Sequence, residues 1–248
     1  MAEAAGGSTS GMARATGGKP VEAVIFDWGG TLTPWHTIDF RAEAEALARA
    51  AVDGDHTAAD LLRAAADALW ARSRDEHVSA TLADMFAHAG LTHDEDLLSS
   101  YREFWEPHTL IDPDVPQLLD RLRADGLRVG VLSNTVWPRE WHEDFFRRDG
   151  VLDLLHGAVY TSEVPWTKPA PEAFLAAMEA VGVDDPQTCV FVGDRPFDDI
   201  WGASNVGMRT VLVPHSEIPE HQVGHSIGEP DAVAHRLRDV HEIVAAWR

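Results

Sequence analysis

Apolar and polar positions along this chain follow two rhythms, and they change places abruptly. Val24-Ile25-Phe26 is a short apolar run closed by Asp27 and then by Gly29 and Gly30. An apolar run of this length bounded by glycine reads as a buried parallel strand, with Asp27 at its carboxyl end. From Ile38 to Trp105 the rhythm is helical, as in Leu61, Leu62, Ala65 and Leu69. It predicts three or four helices, with breaks near Asp53-Gly54-Asp55 and Gly90-Leu91-Thr92 and no strand between them. From Asp112 onward short apolar runs alternate with helical stretches. Helices are expected over Val115–Asp125, where Gly126 caps the end, and over Trp137–Arg148, Pro171–Ala180 and Asp199–Asn205, with a last one over roughly Asp231–Trp247. Strands are expected over Leu127–Leu132, Gly157–Tyr160, Thr188–Val192 and Arg209–Val213, and Pro214–Pro230 reads as a polar surface loop.

Strand–helix alternation of this kind demands a parallel sheet with helices on both faces, an α/β fold. The purely helical block interrupts it just after the first strand. It therefore emerges at the carboxyl edge of the sheet, where open α/β sheets bind ligands, and is placed to cap that edge. The expected division is a core of residues 21–34 and 110–248, a helical cap of residues 35–109, and a Gly/Ser/Ala/Thr-rich disordered tail over residues 1–20.

Composition narrows the partners. The 248 residues carry 41 Asp+Glu against 20 Lys+Arg, a formal net charge of -21. Such a chain repels nucleic-acid backbones and anionic membranes. No stretch reaches the ~18 apolar residues of a membrane span. The tail lacks the apolar centre of a signal peptide. Cys189 is the one cysteine, so no internal disulfide or cysteine metal site is available, and its apolar neighbours read it as a small buried hydrophobe. A cytoplasmic protein, monomer or homodimer, is expected.

Four segments reach the same sheet edge, each with a polar group: Asp27-Trp28-Gly29-Gly30-Thr31-Leu32; Ser133-Asn134-Thr135; Trp166-Thr167-Lys168-Pro169; and Gly193-Asp194-Arg195-Pro196-Phe197-Asp198-Asp199. Each has an ordinary reading by itself. Asp27 could shape a turn, Ser133 or Asn134 could cap a helix, Lys168 could be solvated, and the fourth-segment acids could cap the helix behind them. Four such segments in order, each after its own strand, point instead to one site.

In that order the set resembles the haloacid dehalogenase-like hydrolase superfamily, over nearly the whole chain after the tail. The resemblance implies a Rossmann-like core with a helical cap inserted after the first strand. It implies that Asp27 attacks a phosphoryl group to form an aspartyl-phosphate, which splits one difficult displacement into two. It implies Mg²⁺ held by Asp27, the backbone carbonyl of Gly29 and Asp194, with Asp199 as a further ligand or a support. A divalent cation removes the repulsion between carboxylate and phosphate, and Mg²⁺ takes oxygen ligands. Ser133 and Asn134 match the segment that binds phosphoryl oxygens, and Lys168 matches the lysine that screens nucleophile and transferred group. Asp198 falls where relatives often carry Asn. The implied substrate is a small phosphorylated metabolite.

One departure matters. Most phosphatases of the superfamily read Asp-x-Asp in the first segment, and the second Asp protonates the leaving alcohol; here Gly29 stands in its place. General acid–base help contributes about 10²–10⁴-fold. Activated leaving groups need less of it, and His36 lies near enough in sequence to be weighed as a substitute. Two alternatives stay open: a metal-independent 2-haloacid dehalogenase, which also lacks that Asp, and a non-catalytic ligand-binding or regulatory module. The first is opposed by Gly193-Asp194 with Asp199. Trp35, Trp70, Trp105 and Trp137, in or beside the cap, are candidates for the pocket wall or for core. Arg41, Arg72 and Arg74 are candidates for holding an anionic substrate, or are simply solvated.

Overall fold

The computed structural model describes residues 18–34, 38–50, 57–92, 95–214 and 227–248. His36 and Trp35 lie outside the described residues, as do most of the expected tail and most of the expected 214–230 loop.

Six parallel strands form one sheet: β1 (Ala23–Phe26), β2 (Arg128–Ser133), β3 (Gly157–Tyr160), β4 (Cys189–Gly193), β5 (Arg209–Leu212) and β6 (Ala232–Val233), in the order β3-β2-β1-β4-β5-β6. The apolar runs are continuous because both faces are covered. Val24, Phe26, Val190 and Val192 face one core, which also holds Leu118 and Leu122 of α5 (Val115–Ala124) and Val240 and Val244 of α9 (Asp239–Ala245). The alternate residues Ala23, Ile25, Cys189 and Phe191 face the other core, with Phe174, Ala177 and Val181 of α7 (Pro171–Val181). Cys189 is buried there, and burial pushes its thiol up to about 11, which suits a packing role.

The helical block is α1 (Phe40–Ala50), α2 (Thr57–Glu76), α3 (Leu82–His88) and α4 (Glu95–Trp105). Among the described residues no strand lies between them, but the chain breaks at His77, where no break is expected. His77 adopts φ 57, and Val78 forms an isolated antiparallel bridge with Trp166. Ser73 Oγ donates to Thr167 Oγ1 at 3.1 Å and the Thr167 amide donates to the His77 carbonyl at 3.1 Å. The end of α2 is thus tied to the segment that carries Lys168.

Two further expectations are corrected. The last helix does not run from Asp231: residues 232–233 form β6 on β5, and only Asp239–Ala245 is helical. Asp231 Oδ2 accepts from the Thr210 amide at 2.9 Å, which holds this chain against the sheet edge before the helix can begin. The expected Asp199–Asn205 helix is a π-turn over Pro196–Trp201 followed by a short α8 (Gly202–Val206). The extra residue of a π-turn re-aims the acids it carries, and such turns recur at functional sites.

Candidate active site

Strand register brings the polar segments together. Phe26 pairs with Val131 of β2 on one side and Val192 of β4 on the other. Asp27 is the next residue, and its amide donates to the Val192 carbonyl at 2.8 Å. Ser133 and Asp194 lie two residues beyond those partners, so they flank Asp27 at the sheet rim. All three are buried, with relative exposures of 6% for Asp27, 2% for Ser133 and 4% for Asp194.

Lys168 enters from the loop before α7. Its ammonium donates to Asp27 Oδ1 at 2.5 Å and to Asp199 Oδ1 at 2.7 Å. Asn134 holds that lysine in place. Its Oδ1 accepts from the Lys168 amide at 2.9 Å and its Nδ2 donates to the Lys168 carbonyl at 3.1 Å. The Asn134 side chain therefore meets the Lys168 backbone, where the family resemblance pointed it at phosphoryl oxygens. Asp199 Oδ2 accepts from the Arg195 amide at 2.9 Å, so this one carboxylate ties the π-turn to the lysine. The approach requires glycine at 193, because a Cβ there would meet Asp199 Oδ2 at 2.3 Å.

Electrostatics follow from burial. Desolvation raises the Asp27 carboxyl to about 6; Lys168 opposes that rise and Asp199 adds to it. Burial works against the charged form of Lys168, yet the Asp199 and Asp27 carboxylates outweigh it and the ammonium is held above its ordinary range. Burial likewise raises Asp198.

Asp27, Asp194 and Asp199 each offer a carboxylate oxygen, and these oxygens lie within 4.8 Å of one another. The Lys168 ammonium pairs with Asp27 and Asp199, and Asp194 is the third buried acid of the cluster. Hard oxygen donors at this spacing suit a small divalent cation of the Mg²⁺ type. Gly29 sits beside them, bridged to Thr33, and a Cβ built on it would meet nothing within 4 Å.

Above the rim lies a cavity of about 480 Å³. Asp27, Ser133, Asn134 and Lys168 form its floor. The wall includes Trp70 and Arg74 of α2 together with Trp105 and Trp137, all among the sequence candidates. Arg41 and Arg72 are elsewhere: Arg41 reaches Glu45 at 3.1 Å and Arg72 reaches Glu76 at 3.8 Å, both on the outer surface of their helices. Sequence reading missed Arg63, Asp67, Tyr101, Phe197 and Trp28 as lining residues. A signal existed for part of this set: Arg63, Asp67, Trp70 and Arg74 recur at helical spacing and make one stripe along α2. For Trp28 there was none, since its ring direction is set by packing against Trp137 at 5.7 Å and His142 at 4.5 Å.

Beneath the second segment sits His142, fully buried and unnoticed in the sequence. Its Nε2 lies 3.1 Å from Thr135 Oγ1, which also accepts from the Trp137 amide at 3.0 Å. Its ring stacks on Tyr160 with centroids 4.4 Å apart. Burial, helped by the charge of Arg139, lowers its pKa to about 3, so it is neutral.

A family profile described as haloacid dehalogenase-like hydrolase matches residues 21–207. A glyceraldehyde 3-phosphate phosphatase of Methanopyrus kandleri is 30% identical over 132 residues, 53% of this chain and 55% of that protein. The chain spans about half the length of the curated relatives it matches. Among solved structures, a HAD phosphatase from Thermococcus onnurineus superposes with a TM-score of 0.65 at 25% identity, covering 92% of this chain and 100% of that one. The L-2-haloacid dehalogenase of Xanthobacter autotrophicus shares the fold, with a TM-score of 0.62 at 21% identity over 91% of this chain and 98% of its own.

Proposed function

The chain belongs to the haloacid dehalogenase-like hydrolases, and from that premise we propose that it is a Mg²⁺-dependent phosphatase of a small phosphorylated metabolite. One observation carries the reading: Lys168 bridges Asp27 and Asp199 at 2.5 and 2.7 Å, inside a cluster of three buried carboxylates. A metal-free dehalogenase has no use for that surplus of negative charge, whereas a phosphatase that recruits a cation does. The phosphatase relatives point the same way.

Asp27 is the nucleophile. One of its carboxylate oxygens attacks phosphorus in line with the leaving oxygen, forming an aspartyl-phosphate that water then hydrolyses. Ser133 donates its hydroxyl to a phosphoryl oxygen. Lys168 holds Asp27 in position and stabilises the charge that builds on the equatorial oxygens. Asn134 and Asp199 position Lys168 from its backbone and from its ammonium. Asp27, Asp194 and the Gly29 carbonyl, with Asp199 in the same cluster, would hold Mg²⁺, which would supply the positive charge that lets an anionic nucleophile approach an anionic substrate. Helices α1–α4 act as the cap that encloses the substrate, and their division from the core at residues 35–109 is part of the same proposal.

The test is phosphate release from a panel of phosphomonoesters. Release that needs added Mg²⁺, stops with EDTA and is lost in Asp27→Asn supports the reading. Chloride release from a 2-haloacid, undiminished by EDTA, would replace it with dehalogenation. Metabolite binding without turnover across the panel would replace it with a regulatory module.

A further inference from the structure

We infer that the ester this site is built to cleave is an aromatic one: the phosphate of a phenolic hydroxyl, bearing no second anionic group. The inference rests on the phosphatase reading and adds the chemical class of the leaving group.

The first observation is at the position where most phosphatases of the family carry the acid that protonates the leaving oxygen. Gly29 has no side chain, and the space its Cβ would occupy is open. The hydroxyl of Thr33 is committed, donating to the Trp28 carbonyl at 3.1 Å. In the first step an Asp27 oxygen bonds to phosphorus, the P–O bond to the leaving group breaks, and that oxygen departs with the electron pair. An alkoxide is about as basic as hydroxide and a poor leaving group without a proton. A phenolate, with a pKa of about 10, departs far more readily and takes its proton from solvent afterwards. Water then attacks phosphorus, its proton passes to solvent, and phosphate leaves Asp27 as a free carboxylate.

The second observation is independent of the first. The cavity wall is aromatic, built from Trp28, Trp70, Tyr101, Trp105, Trp137 and Phe197. Four of these rings are in mutual contact, with Trp105, Trp28 and Tyr101 at 5.8, 5.7 and 6.5 Å from Trp137. Aromatic pairs in offset or edge-to-face contact attract beyond what burial alone gives. The cations on the wall are engaged by acids of the chain itself: Arg74 with Asp75 at 2.8 Å, Arg63 with Glu43 at 3.9 Å, Arg195 with Asp198 at 3.8 Å. A flat, uncharged ring fits this wall, and a second phosphate or carboxylate does not. A volume of about 480 Å³ holds a small aromatic body.

The experiment compares kcat/KM, with Mg²⁺ present, for phenyl phosphate, benzyl phosphate and glyceraldehyde 3-phosphate. Phenyl and benzyl esters both present a ring, but only the first leaves as a phenolate. kcat/KM ends at the first irreversible step, so slow hydrolysis of the aspartyl-phosphate does not mask the comparison. Phenyl phosphate is expected to exceed benzyl phosphate by about 100-fold or more, the lower end of what a missing general acid withholds. In Gly29→Asp, for which the site has room, the ratio of the two is expected to narrow at least tenfold. Should that variant not fold, substituted phenyl phosphates give the answer with the unmodified protein. Their log kcat/KM should fall steeply as the phenol becomes more basic, and a flat plot would overturn the inference. Equal rates on phenyl and benzyl phosphate would also overturn it, because some other group, Asp198 included, would then be protonating the leaving oxygen. Glyceraldehyde 3-phosphate as the best substrate would overturn it while leaving the phosphatase reading intact. No release from any ester would remove both.

Discussion

The rim of the sheet and the wall above it are built in opposite ways. At the rim, Asp27, Ser133 and Asp194 come from the ends of three neighbouring strands, and their places follow from backbone register: Phe26 opposite Val131 and Val192 puts Asp27 between Ser133 and Asp194. At the wall, the groups come from cap helices and from the connections after β1 and β2, and their places follow from side-chain packing such as Trp137 against Trp28, Trp105 and Tyr101. The rim is charged, a cluster of three buried carboxyl groups of which the Lys168 ammonium pairs with two. The wall is largely aromatic, and its Trp28, Tyr101 and Trp137 belong to the main core of the molecule. The proposed reaction chemistry thus falls where geometry is fixed by the backbone, and the proposed substrate choice where packing can vary.

The largest expected effect breaks the rim at its centre. Asp27→Asn should bring phosphate release to background while the protein unfolds no more easily than before, because one of three crowded carboxylates is removed and Asp199 still holds Lys168 at 2.7 Å. A melting temperature well below that of the unmodified protein would show Asp27 to be structural instead. Lys168→Ala should do the reverse to stability. It strips the only ammonium from Asp27 and Asp199, and breaking a buried ion pair costs about 3–5 kcal/mol. Urea denaturation measures that loss. Added Mg²⁺ should raise the melting temperature of the unmodified protein, a ligand at 100 times its Kd being worth about 2.7 kcal/mol. In Asp194→Asn that rise should shrink or vanish, and an undiminished rise would place the ion elsewhere.

His142 tests whether the floor beneath the second segment behaves as packing or as chemistry. Its folded pKa of about 3 lies below the unfolded value near 6.5, so the unfolded chain binds the extra proton first. Stability is therefore unaffected above pH 6.5 and falls as pH drops from there toward 3. At pH 5 the loss attributable to this one group is about 2 kcal/mol. His142→Phe should flatten the acid limb of a stability–pH curve by about that amount, at the cost of the contact with Thr135 Oγ1. An unchanged acid limb would mean that the imidazole reaches water in the folded protein.

The contrast between rim and wall also explains what the sequence told. Asp27, Ser133, Lys168, Asp194 and Asp199 were legible because each follows an apolar strand run or opens a helix, and strand ends of a parallel sheet share one edge. Gly193 was legible as part of a motif, though its reason, the pressing of Asp199 against its Cα, needs coordinates. Trp28, Tyr101 and Phe197 were not legible as wall, since an aromatic residue in a sequence does not say which cavity its ring faces. β6 was misread as helix because its pairing depends on Asp231 meeting Thr210 across 21 positions, which no local pattern records. The break at His77 escaped for the same reason: its bridge partner, Trp166, lies in another segment.

The smallest effect sharpens the comparison within a single helix. Trp70 and Arg72 are two residues apart on α2, so they point to different sides of it. Trp70 lines the cavity, and Arg72 pairs with Glu76 outside it. Trp70 is 42% exposed, so its replacement by Ala should cost little stability, within about 1 kcal/mol. Its loss should instead raise KM several-fold for phosphomonoesters with a large apolar body and change kcat little, which is the mark of a contact made equally in the ground and transition states. Arg72→Ala, whose exposed ion pair contributes about 0–1 kcal/mol, should leave both constants where they were. Equal effects from the two substitutions would mean that α2 reaches substrate by moving as a whole, and the wall would then have to be treated as a lid whose position, not its lining, selects the ligand.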